Sequence, residues 1–143
     1  MPSSDFIVAQ VEKQAKIHNE QNQSLVKDLE EYYGLQGLVF MDLAQEDELP
    51  QENMTYFIIE NGDYNNVQDS EDKFYTENVT ITFWNENRQN PVLDRLMLLY
   101  FAKKNGLRVV ASDNQNIILN GTARVINMFT LTTKRRVMLK GLC

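Results

Sequence analysis

Histidine, cysteine and paired carboxylates carry most chemistry near neutral pH, and this sequence uses the first two once each. His18 is the single histidine and Cys143 the single cysteine. His18 sits in a polar stretch, residues 18–24, with no serine or cysteine motif beside it. Acid–base catalysis needs groups whose surroundings push their pKa values apart, and a nucleophile needs a base held against it. The sequence encodes neither arrangement. Zinc requires several Cys and His ligands at defined spacing, and neither residue recurs. The acidic runs Glu46-Asp47-Glu48 and Asp69-Ser70-Glu71-Asp72 lack the alternating ligands, turn glycine and closing glutamate of a calcium loop, so they read as solvated loops. Neither GxGxxG nor GxxxxGK[ST] occurs. The expectation is a protein without catalytic residues, cofactor or metal, and not an enzyme.

Charge is the stronger pattern. Residues 1–87 hold 18 Asp and Glu against 4 Lys, a balance of −14, and residues 88–143 hold 10 Lys and Arg against 2 Asp, a balance of +8. Opposite potentials on one chain can steer like copies together, or they can pair within a monomer and cancel. Both readings are open. The C-terminal cations Arg124, Lys134, Arg135, Arg136 and Lys140, with Phe129 as a stacking face, raise nucleic-acid binding as an alternative. Against it stand a sequence pI near 4.8 and the alternating pattern around Phe129, which reads as core.

The elements that must position these residues follow from periodicity. Ser3-Ser4-Asp5 can cap a helix carrying Phe6, Ile7, Val8, Val11, Ala15 and Ile17; helical spacing resumes at Leu25, Val26, Leu29, Tyr32 and Tyr33 and stops at Gly34. The polar residues 19–23 between them predict a break or frayed turn, leaving one helix or two. Residues 38–43 and 54–60 read as strands, Asn61-Gly62-Asp63 as a turn, and 44–53 and 63–72 as acidic connections. In residues 76–84, Val79, Ile81 and Phe83 share one strand face, with Thr80, Thr82 and Trp84 on the other. Asn90 caps a helix over about 91–105, Pro91 opens it and Gly106 ends it. Its apolar stripe is expected to be Leu93, Leu96, Met97, Tyr100 and Phe101, with Leu98 and Leu99 either core or subunit contact. Residues 107–111 read as a strand. Residues 116–119 and 122–133 form a hairpin about Asn120-Gly121, the preferred pair for a type I′ turn.

About six strands and two helical regions give an α+β fold: a mixed, mainly antiparallel sheet, a central helix packed on one face and an N-terminal helical segment. The 143 residues suit one domain, with residues 1–34 the helical segment, 38–133 the core and 134–143 a tail prone to fray. A lone cysteine suits a reducing compartment, and neither a secretory leader nor a membrane span is legible. No membrane partner is expected.

The element order, an N-terminal helical segment, a strand, a proline-containing loop, Tyr56–Glu60, Val79–Trp84, the helix from Pro91 and Gly106-Leu107-Arg108-Val109 before a closing hairpin, resembles the tail terminator proteins of long-tailed bacteriophages. These are also called tail-to-head joining or tail completion proteins. The resemblance covers roughly residues 38–133. It implies a subunit of a ring, a homohexamer, that stops tail-tube growth, contacts the tube protein and docks to the head connector. DNA would pass through without being read, and the location would be the virion's head–tail junction, with host cytoplasm during assembly. A different phage neck or minor tail interaction protein, or a nucleic-acid-binding module, is the alternative. A ring needs two different patches that meet. The candidates are Glu46, Asp47 and Glu48 on the acidic side and Arg124, Lys134, Arg135 and Arg136 on the basic side.

Overall fold

Two helices cover one face of a five-stranded sheet in the computed structural model, which describes residues 4–42, 44, 48–66 and 74–138. The chain runs α1 (Ser4–Tyr33), β1 (Val39–Met41), β2 (Tyr56–Asn66), β3 (Phe74–Asn85), α2 (Pro91–Lys104), β4 (Leu107–Ile118) and β5 (Val125–Met138). The strand order is β1-β2-β3-β5-β4, with β1 parallel to β2 and every other pair antiparallel. This is the mixed, mainly antiparallel α+β architecture that periodicity implies.

Strand alternation places the core. Phe57, Ile59, Val79, Ile81, Phe83, Phe129 and Leu131 all point to the helix side, in register across β2, β3 and β5. The Phe57 and Phe83 rings stack with centroids 4.3 Å apart, and Tyr33 of α1 meets Phe57 edge-on at 5.0 Å. Leu25 and Leu29 from α1, and Leu98, Phe101 and Ala102 from α2, complete the cluster. Phe129 is therefore core. On the opposite face Tyr56 stacks on Trp84, 5.9 Å between centroids, with Phe40 beside them.

The helix ends obey local rules. Asn90 Oδ1 accepts from the Leu93 N–H at 3.1 Å, Pro91 opens α2, and Gly106 follows at φ +83, where a side chain is strained. Gly34 at φ +67 ends α1 in the same way.

Several expectations are corrected. α1 is one continuous helix, about 45 Å long at 1.5 Å per residue. Its polar stretch does not break, because it faces protein: Asn22 Oδ1 accepts from Arg135 Nη2 at 2.6 Å, and Gln21 lies against Gly106. Asn61-Gly62-Asp63 is no turn. β2 runs through it to Asn66 with a bulge between Asn61 and Tyr64, and Tyr64 donates to Glu77 Oε2 at 2.8 Å.

Residues 112–115, between the two strands expected at 107–111 and 116–119, are strand as well, giving five strands rather than six among the described residues, because β5 supplies a continuous partner from Val125 to Arg135. β5 itself extends through the supposed tail to Met138, paired with β3. At the hairpin Gly121 has φ +75 but Asn120 does not turn positive, and Thr122 N–H donates to the Leu119 carbonyl at 3.1 Å. That is the pattern of a type II turn within a longer loop, and not type I′.

Candidate interaction surface

α2 is apolar on more sides than one sheet face can bury. At roughly 100° per residue, its covered side, Asp94, Leu98, Phe101 and Ala102, lies about opposite a second set. That second set is Val92, Leu93, Leu96 and Tyr100, which are 61, 45, 58 and 57% exposed. The expected stripe holds only in part: Met97 and Phe101 pack on the core, whereas Leu93, Leu96 and Tyr100 face outward and Leu98 is core. Asp94 inverts the pattern. Arg88 grips its carboxylate through Nε at 2.8 Å and Nη2 at 3.1 Å, and the Tyr33 hydroxyl donates to its backbone carbonyl. With its charge and carbonyl both satisfied, Asp94 can turn inward, and the apolar residues half a turn away are left in water. A helix apolar all round is ordinarily covered on both sides.

The outward face continues to the sheet edge. Leu99, Lys103, Gly106, Leu107, Arg108 and Val109 line a groove of about 640 Å³ between α2 and β4. Val110, at the bulge in β4, is also exposed. β4 ends the sheet, with no strand beyond it among the described residues. Lys103 borders this apolar floor on the helix side, and Arg108, which alternates with Lys134 to the opposite sheet face, adds a second cation at the same edge. A second, polar cleft of about 580 Å³ lies at the start of α2, between Tyr33, Asn53, Asn87 and Arg88, and the Arg88–Asp94 pair closes its cationic side.

Among the described residues, those singled out from sequence do not gather into one patch. Arg135 is 2% exposed and lies under α1, with Nη1 3.2 Å from Glu77 Oε1. It is not a surface cation: β5 alternation turns it to the helix side, and burial holds its pKa below the usual arginine value, opposed by Glu77. Arg124 is spent within the subunit, its Nε 2.7 Å and Nη2 2.6 Å from the Glu86 carboxylate and its Nη2 3.1 Å from the Glu52 carbonyl. Those Arg124 bonds, followed by one from the Met54 N–H, lower the Glu86 pKa to about 2.

Lys134 and Arg136 lie on the opposite sheet face, Lys134 directly across from Arg108. Glu48 is exposed in the β1–β2 connection, and Glu46, Asp47, Asp69–Asp72, Lys140 and Cys143 fall outside the described residues. Much of the charge contrast is intramolecular: Arg135–Glu77, Arg124–Glu86 and Lys104–Asp28 each join the basic part to the acidic part.

His18 sits near Arg135 and Glu77, with Gln14 Nε2 3.2 Å from its Nε2. Burial, then Arg135, depress its pKa. No helix among the described residues is long and apolar enough to cross a membrane. No protein-family model matches the chain, and no curated protein is similar enough to count as a relative.

Sequence reasoning missed the outward set, Val92 with Leu93, Leu96 and Tyr100, as an exposed surface. The available signal was Ala102, a small residue suited to close approach to a sheet, which fixes the phase of the buried side.

Proposed function

We propose that this chain is a virion assembly subunit of the tail-terminator kind, a ring-former that caps a phage tail tube and joins it to the head connector without catalysing a reaction. The observation that carries this reading is the uncovered apolar outer face of α2, Val92, Leu93, Leu96 and Tyr100. Each is already about half covered, so burying the rest is worth on the order of 1 kcal/mol apiece, a drive toward a protein partner when the four act together. The element order from α1 to the β4–β5 hairpin supports the same reading. In it, self-association, the tube protein and the connector are the partners, and DNA passes through unread.

The test is assembly itself. Purified protein is expected to form rings in negative-stain images and, added to polymerising tube subunits, to stop growth and occupy one tube end. Solitary particles that neither ring nor bind tubes overturn the proposal.

A further inference from the structure

The two lateral edges of the sheet are chemically opposite at the same height. β1 pairs with β2 from Phe57 to Ile59 and Asp42 Oδ1 then accepts from the Asn61 N–H at 2.7 Å, so beyond Asn61 β2 is itself the edge among the described residues. Asp63 and Tyr64 lie in that segment and Glu60 just before it, all three exposed. Tracing the register straight across, Glu60 lies level with Thr80, Thr132 and Ala111, and Tyr64 with Glu77, Arg135 and Leu107. The other end of each row is therefore the opening of β4, where the α2–β4 groove lies, with exposed Val110 at the bulge, Lys103 on the helix side and Arg108 on the opposite sheet face of the same edge. One edge is anionic and the other cationic with an apolar floor.

We infer that the β4 edge and its groove receive the free β2 edge of a second copy of this chain, with Glu60 and Asp63 of one copy facing Lys103 and Arg108 of the next. Two different patches meeting head to tail give a heterologous contact, which either closes or climbs. Because the patches sit at one level along the strands, the contact needs little climb per subunit, and it gives a ring where the rotation between neighbours divides a full turn. Edge pairing satisfies backbone groups that would otherwise invite indiscriminate association. This inference rests on the ring reading above and specifies its surface.

The experiment is a charge swap read by native mass spectrometry and sedimentation at low salt, where rim charges are least screened. Lys103→Glu with Arg108→Glu reverses one edge, and Glu60→Lys with Asp63→Lys reverses the other. Each double variant is expected to weaken self-association at least tenfold while keeping the wild-type circular dichroism and melting temperature. Mixed in equal amounts, the two restore assembly with strictly alternating composition, because every reversed edge then meets its complement. If the wild type forms rings and either variant does so equally well, or the mixture fails to recover, this surface is wrong and the ring reading stands. If the wild type remains a monomer at every concentration and salt, the ring reading and the inference both fall.

Discussion

Arg135 Nη1 lies 3.2 Å from Glu77 Oε1, with both side chains buried between α1 and the sheet. Directly opposed on β5 and β3, the two residues are also tied outward, Arg135 to Asn22 and Glu77 to Tyr64. Deleting one partner of such a pair leaves an uncompensated buried charge. Glu77→Ala is expected to cost about 3–5 kcal/mol in urea unfolding, whereas replacing both residues by apolar ones of similar volume recovers most of that loss. A single variant within about 0.5 kcal/mol of wild type would show the charge to be hydrated, not paired.

Two leucines on α2 separate packing from association. Leu98 is fully buried in the core, so Leu98→Ala is expected to cost about 2–5 kcal/mol of monomer stability. Leu96 faces water, and Leu96→Ser is expected to stay within about 0.5 kcal/mol of wild type while weakening self-association. Denaturant titration on dilute protein, paired with sedimentation, reads the two effects apart.

Removing the cap of α2 is a local test. Asn90→Ala leaves the Leu93 N–H without its side-chain acceptor and is expected to cost about 0.5–2 kcal/mol, and Asn90→Asp to restore most of it. Thermal melts of the three proteins decide it.

Stability should also fall gently in mild acid through His18. Its folded pKa is below the ordinary 6.5 because of burial first and Arg135 second, with Glu77 and the Arg136 backbone opposing. Below pH 6.5 the unfolded chain binds a proton that the folded chain resists, so unfolding is favoured as pH drops toward the folded value. The melting temperature of wild type is expected to decline over that window, and His18→Gln to flatten the decline. Parallel slopes for both proteins would refute the assignment.

The strand–helix block around Val79–Gly106 was legible because each signal there is local: alternation at Val79, Ile81 and Phe83, a side-chain cap at Asn90, a positive φ at Gly106. What escaped is decided by distant partners. The polar run 19–23 looks solvated until Arg135, more than a hundred residues later, supplies a donor for Asn22. Gly62 resembles a turn until β3 continues alongside and the bulge absorbs it. The phase of α2 depends on Asp94 turning inward, which only Arg88 and Tyr33 together permit. Of the charged residues read as a candidate interface, Arg124 and Arg135 have partners within the subunit, Glu86 and Glu77, which a one-dimensional charge count does not record.

Tyr33 is the last residue of α1, and its hydroxyl is anchored on the Asp94 carbonyl in the opening turn of α2 while its ring is wedged against Phe57 and Phe83. A pull on either helix is thereby handed to the middle of the sheet through one aromatic rivet. The end of α1, the start of α2 and the strands β2 and β3 thus share a single side chain, so none of the three can shift there without displacing the others.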